Sequence, residues 1–226
     1  MSSLILAINT AQPMHELALV EESESGLKLL KEDRWIEDKQ DVENLVPRLR
    51  AMLEEVGANK KDIQKIVVVK GPGSFTSVRT GVAFANALAE GLSAKLYELD
   101  TFQTLARKSA IKDPLLVVLP AGGLDAGVYF AGELKVGPLS ELLAKHPHDH
   151  SYKVAQELGE TLRDELHSIA LEKEWRVLEA HEFQTLGESF ETLGLEGCTE
   201  IELVEPLYLK GPKITLSQDP WKQPRA

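Results

Sequence analysis

The chain has 226 residues, 43% of them apolar, which is enough for one large or two small domains around an ordinary globular core. Its formal net charge of −11 argues against a surface that docks nucleic acid mainly through its own cations, and most of its carboxylates read as solvated charge. No stretch approaches the roughly 20 apolar residues of a bilayer span and no basic segment leads into a signal-type apolar run, so a cytoplasmic protein with no membrane contact is expected. The lone Cys198 excludes an intramolecular disulfide or a Cys-rich zinc site and reads as a structural thiol.

Leu4 to Ile8, Leu17 to Val20 and Leu27 to Leu30 are short apolar-rich runs separated by polar or glycine-containing turns, which predicts an antiparallel meander. From Asp41 the period changes. Val42, Leu45, Val46, Leu49, Leu53 and Val56 recur at three- and four-residue spacing and predict a helix with one apolar face. Asp41 suits its N-cap, Pro47 begins its regular part or kinks it, and Gly57 stops it.

The β-branched run Ile66 to Val69 predicts a buried strand, followed by the loop Lys70-Gly-Pro-Gly-Ser-Phe-Thr76 and a helix from about Thr76 to Glu90. Another strand is expected over Lys95 to Leu99. A strand, loop and helix junction aims free backbone N–H groups and the positive end of a helix dipole at one spot, which suits a phosphate or carboxylate. The chain has neither the Gly-Lys-Ser/Thr of a P-loop nor the Gly-x-Gly-x-x-Gly of a dinucleotide fold, so the loop reads equally as a structural turn. Candidate residues for an anion or nucleotide are Gly71, Gly73, Ser74, Phe75, Thr76 and Arg79; the bland reading of Arg79 is a surface ion pair.

Along the following helix, Ser77, Gly81, Ala85 and Ala89 form a stripe of small side chains at four-residue spacing, flanked by Val78 and Val82. Such a stripe either packs on the chain's own sheet or admits a partner helix. Farther on, Leu115 to Leu119 and Gly127 to Ala131 predict strands. Residues 151–174, with Val154, Leu158, Leu162, Leu166 and Ile169, predict a helix. The Gly, Pro, Gln and Lys composition after Lys210 predicts an irregular tail over 211–226.

No internal repeat is visible. His146-Pro-His-Asp-His150 reads as a solvated loop rather than a metal site, His15, His167 and His181 are isolated, and the runs Glu21 to Glu24 and Glu37 to Asp41 fit solvated faces. Ser74 has no identifiable His partner, which places a peptidase last. No residue is assigned a catalytic role.

Gly71-Pro-Gly-Ser-Phe-Thr76, with Val78-Arg79 and Gly81, resembles the signature of the TsaB (YeaZ) family, bacterial partners of the tRNA threonylcarbamoyladenosine enzyme TsaD. Ile5 to Ala11, Lys39 to Pro47, Val128-Tyr129 and Glu205-Pro-Leu-Tyr-Leu-Lys210 also fall where that family would place them. The resemblance implies an α/β actin-like (ASKHA, ribonuclease-H-like) fold with an N-terminal lobe over 1–112 and a smaller, divergent lobe over 113–210. It implies a dimer or partner interface on the stripe helix and the helix before it, which adds Leu45 and Leu49 to Ser77, Val78, Gly81, Val82, Ala85 and Ala89. The implied function is a noncatalytic scaffold that pairs with TsaD and, with the ATPase TsaE, supports threonylcarbamoyl transfer to adenosine of tRNA. The tRNA would be contacted mainly through the complex, and the chain would carry no cofactor of its own, ATP being bound by the assembly.

Several positions depart from the pattern. The superfamily ends its first strand in an Asp that helps hold a metal-bound nucleotide, where this chain has Asn9. The position best matched to a second Asp is Pro120, with Asp125 beyond two glycines, and a family His is replaced by Asp41. TsaD-type subunits carry a His-x-x-x-His metal pair on a helix; the one stretch with that spacing here, His146 to His150, is interrupted by Pro147 and reads as a loop. The alternative is an ASKHA-type phosphotransferase using Gly71 to Thr76 for ATP phosphate, with Asn9 and Asp125 as polar ligands; the missing carboxylates count against it.

Overall fold

A computed structural model describes residues 3–36, 41–111, 115–144, 153–156 and 158–210. Strands β1 (Ser3–Asn9), β2 (Met14–Ser23) and β3 (Gly26–Ile36) form the expected meander. Helix α1 (Asp41–Glu55), strand β4 (Ile63–Val69), helix α2 (Phe75–Leu92) and strand β5 (Lys95–Leu99) follow. Strand β4 pairs parallel with β1 on one side and β5 on the other. Parallel pairing covered on both faces explains why β1 and β4 are apolar almost throughout rather than alternating. Leu6, Ile8, Ile66 and Val68 face α1 and α2, while Ile5, Ala7, Val67 and Leu99 face the other way.

Pro47 lies inside α1, which ends where Gly57, at φ +67°, lets Ala58 N–H reach back to the Leu53 carbonyl at 2.9 Å. The side chains of residues 41–43 are not described, so the capping role expected of Asp41 lies outside the described residues. Val46 leaves the predicted apolar face and is 61% exposed.

The second half repeats the first in topology without repeating it in sequence. Strands β6 (Leu115–Pro120), β7 (Asp125–Phe130) and β8 (Glu133–Pro138) form another meander, followed by helix α4 (Leu139–Ala144) once helix α3 (Thr101–Ser109) has joined the halves. Strand β9 (Lys153–Gln156), helix α5 (Glu160–Glu172) and strand β10 (Arg176–Val177) complete it. The sheet order β10-β9-β6-β7-β8 mirrors β5-β4-β1-β2-β3 of the first sheet. Strand β7 starts two residues before the expected Gly127, and Ala131-Gly132, both at positive φ, make the two-residue hairpin turn to β8. The helix expected over 151–174 is corrected: β9 occupies its start. Val154 pairs with Leu116 across a parallel ladder, so its four-residue spacing from Leu158 is coincidental, and only Glu160–Glu172 is helical.

Two helices are exchanged between the halves. Helix α3 packs its Phe102 and Leu105 against Val117 and Leu119 of the second sheet. Helix α6 (Leu186–Leu193) returns to the first sheet with Leu186 and Phe190, and β11 (Thr199–Ile201) then pairs antiparallel with β5. The segment after about residue 185 therefore belongs structurally with the first sheet, unlike the continuous 113–210 lobe expected; the residues around the expected boundary at 113 are not described. Arg107 ties the exchange together. Its guanidinium donates to the carbonyls of Ser189, Gly194 and Glu196 and stacks 4.5 Å from the Phe190 ring. The 211–226 tail and the His146 to His150 cluster lie outside the described residues.

The small-residue stripe resolves in favour of the chain's own core. Ser77, Val78, Gly81, Val82, Ala85 and Ala89 are all buried within the single chain, as are Leu45 and Leu49. A Cβ on Gly81 would sit 2.1 Å from Thr10 Oγ1, whose hydroxyl donates to the Ser77 carbonyl at 2.7 Å, so smallness here admits the end of β1. None of these eight residues is surface for a partner, which corrects their assignment as interface positions. Ala85→Arg is accordingly expected to abolish the cooperative thermal melt of the isolated chain, because a buried unpaired charge costs several kcal/mol, roughly the whole stability of a domain. A scan by circular dichroism with no partner present checks this; a normal melt would contradict the placement.

Candidate functional site

The loop after β4 is pinned by its own chain on one side. Lys70 N–H donates to the Leu99 carbonyl, Leu207 N–H to the Lys70 carbonyl and Thr101 N–H to the Gly71 carbonyl, at 2.9, 2.7 and 2.8 Å. Thr101 Oγ1 donates to the Pro72 carbonyl at 2.7 Å. A Cβ on Gly73 would lie 1.9 Å from the Ala11 carbonyl oxygen, so only glycine lets the loop run this close to the exit of β1. On its other side the loop is open: Gly73, Ser74 and Phe75 line a cleft of about 1020 Å³ between the halves. Phe75 stacks on Tyr208 with centroids 4.8 Å apart, and the Arg79 guanidinium lies 5.3 Å from the Phe75 centroid. Arg79 is thus placed by a ring, and the exposed Thr76 contributes its carbonyl to the Thr80 hydroxyl at 3.0 Å. Tyr208, which enters the sequence analysis only within Glu205-Pro-Leu-Tyr-Leu-Lys210, is a member of this stack.

Behind the cleft sits a group that sequence reasoning missed. Glu16 on β2 is fully buried, and its carboxylate accepts from Lys108 Nζ on α3 at 2.8 and 3.0 Å, from Asn9 Nδ2 at 3.1 Å and from Leu186 N–H at the start of α6 at 3.2 Å. Arg34 on β3 lies 3.6 Å from it. A second carboxylate, Glu32, accepts from Gly187 N–H at 2.7 Å; burial pushes its pKa up despite that bond. Both anions meet the positive end of α6.

Asn9 is directed into this group and away from the cleft. Its Oδ1 accepts from Ala11 N–H at 3.1 Å, which turns Nδ2 toward Gln12 Oε1 at 2.7 Å and Glu16. Asn9 is therefore a loop organiser, which removes it as a ligand in the phosphotransferase alternative. In the topologically matching place of the second sheet, Pro120 ends β6 and lines the cleft, while the Asp125 carboxylate is engaged by Lys210. Cys198 is partly buried with its thiol pushed up to about 11 by burial, in keeping with a structural role.

A family model described as TsaD: tRNA N6-adenosine threonylcarbamoyltransferase matches residues 36–197. The chain belongs to this family. Within it the likeness is to the TsaB (YeaZ) members: 34% identity over 97 residues to the tRNA threonylcarbamoyladenosine biosynthesis protein TsaB of Bacillus subtilis, 40% of this chain and 42% of that protein. The protein of the same name in Escherichia coli K12 is 31% identical over 94 residues, 41% of each. The chain thus spans under half the length of these two curated relatives. The structure of YeaZ from Pseudomonas aeruginosa superposes with a TM-score of 0.68 at 19% identity, covering 91% of this chain and 99% of that one. That likeness shows the fold, which is the actin-like one.

The geometry makes asparagine the only workable choice between Asn and Asp at the end of β1, because an aspartate there would set two carboxylates in hydrogen-bond contact in a buried site. Asn9→Asp is expected to cost about 3 kcal/mol or more, the order found for an uncompensated buried charge. The deficit should shrink on acidification, since the folded pair gains a proton that the separated carboxyls of the unfolded chain take up only at lower pH. Urea unfolding at several pH values measures both effects.

Proposed function

We infer that this chain is a noncatalytic partner subunit of a TsaD-type transferase, supporting threonylcarbamoyl transfer to adenosine of tRNA. Family membership supports the pathway. The observation that carries the noncatalytic reading is the pair of strand ends at the cleft: Asn9 faces inward to Glu16 and Gln12, and Pro120 stands at the matching end of β6. Phosphoryl transfer in actin-like enzymes relies on a metal held against the phosphates, and Mg²⁺ favours anionic oxygen ligands. Neither strand end supplies one, which disfavours the phosphotransferase alternative.

With the small-residue stripe internal, the docking surface for a TsaD-type subunit or a second copy is the outward side of α1 and α2. Val46 on α1 is 61% exposed, and Phe75, at the start of α2 on the rim of the cleft, is 40% exposed with the Arg79 guanidinium 5.3 Å from its ring centroid. Exposed apolar side chains next to an arginine match the make-up of interface centres. A TsaE-type ATPase and the tRNA would then join through the assembly, which would also be where ATP binds; a net charge of −11 fits a chain that leaves RNA phosphates to a partner.

Co-purification with the TsaD-type subunit of the same genome tests the reading. Association is expected, with loss of threonylcarbamoyladenosine from tRNA when this chain is depleted. Val46→Glu combined with Phe75→Glu should keep a normal melt and weaken association at least tenfold, about 1.4 kcal/mol. No association together with unchanged tRNA modification would overturn it.

A further inference from the structure

The last described residues, Tyr208, Leu209 and Lys210, line the cleft between the halves, and Lys210 is held there by the Asp125 carboxylate. Residues 211–226 therefore begin at the cleft wall. Leu105, Leu119 and Phe183 line the same space of about 1020 Å³ and give it an apolar side. Its cations are mostly matched: Lys108 is held by Glu16, Arg34 lies against Glu16 and Glu32, and Lys210 pairs with Asp125. Arg163, exposed at the start of α5, donates to the Leu158 carbonyl at 2.9 Å and has no carboxylate in ion-pair distance among the described residues.

The chain beyond Lys210 carries groups complementary to what the cleft leaves open. Trp221 follows Lys210 by eleven residues, and Asp219, the one acidic side chain of this stretch, stands two residues before it. Eleven extended residues reach at most about 40 Å, enough to fold back into a cleft whose wall includes Lys210. The tether gives an effective concentration on the order of millimolar, and a tryptophan offers roughly 150–250 Å² to bury. We propose that Asp219-Pro220-Trp221 docks in the chain's own cleft, the indole against Leu119 and Phe183 and the Asp219 carboxylate at Arg163, so that the chain closes the cleft with its own segment. Lys213, Lys222 and Arg225 stay outside, on a protein of net charge −11. The docking is a property of the isolated chain and is tested without a partner, so it and the partner-subunit reading fail separately.

Tryptophan fluorescence of the full chain is the test. The other two tryptophans, Trp35 and Trp175, are buried at 8% and 6% exposure, so the difference between the chain and its Trp221→Phe variant isolates Trp221. Its emission should be blue-shifted from that of a free tryptophan peptide and its quenching by acrylamide reduced about threefold or more, as for a segment docked at least two-thirds of the time. Phe183→Asp should return the quenching to that of the free peptide. Arg163→Gln, at an exposed position, should raise quenching about twofold with an unchanged melt, the size of one partly screened ion pair, and it decides the matter if Phe183→Asp fails to fold. Quenching of Trp221 equal to the free peptide would overturn the proposal. So would protection unchanged in every folded cleft variant, which would put the segment elsewhere, or protection lost on dilution, which would make a second copy the occupant.

Discussion

A fully buried carboxylate constrains everything around it to be a donor. Removing Glu16 from water costs several kcal/mol, recovered only if each of its lone pairs finds a partner in good geometry. Here the partners come from four separated parts of the chain: Asn9 at the end of β1, Arg34 on β3, Lys108 on α3 and the first N–H of α6. The two exchanged helices are thus fixed to the central strands by one charge, and the residue at the end of β1 must present an amide N–H. The acidic position at that strand end, on which metal-nucleotide binding in actin-like folds relies, has become incompatible with the interior. Loss of that ligand and gain of a rigid joint between the halves are one structural fact.

The repeat of topology gives that joint its setting. Each half opens with a three-stranded meander, continues through a helix, a parallel strand, a second helix and another parallel strand, and each sends its next helix onto the opposite sheet. Helices α2 and α5 consequently begin at the same cleft, and the ends of β1 and β6 face it from either side. Glycine appears where backbones nearly touch, at Gly73 against Ala11 and Gly81 against Thr10. A loop packed this closely serves as a rigid wall of the cleft while its exposed side carries Phe75 into a stack with Tyr208 and Arg79.

Much of the first half was legible because its signals are local. A β-branched run, a Gly-Pro-Gly turn and a 3.6-residue period each specify their element within about ten residues, and β1 to β5 with α1 and α2 appear where those signals put them. Residues past 115 were harder. Val154 and Leu158 keep helical spacing across a strand and a loop, and the return of α6 and β11 to the first sheet depends on contacts between residues far apart in the chain, such as Arg107 with Gly194 and Glu16 with Leu186. The small-residue stripe was correctly seen as a close-approach surface, but spacing alone could not say whether a sheet or a partner approaches. Glu16 escaped notice because a charged residue in an apolar strand announces only that it needs partners; Lys108 lies 92 residues away. Asn9 was visible as a departure from the family pattern, and its reason became apparent only with Glu16 beside it.

A double-mutant cycle between positions 9 and 16, read as unfolding free energy in urea, tests most directly whether Glu16 dictates the amide at the end of β1. In the Glu16→Gln background an aspartate at the end of β1 acquires an amide donor in place of a carboxylate, so Asn9→Asp should cost far less there than in the native background, with a coupling well above 1 kcal/mol, in the range seen for residues in direct contact. Costs that add within about 0.5 kcal/mol, as for independent sites, would contradict the claim that the buried carboxylate sets the residue at the strand end.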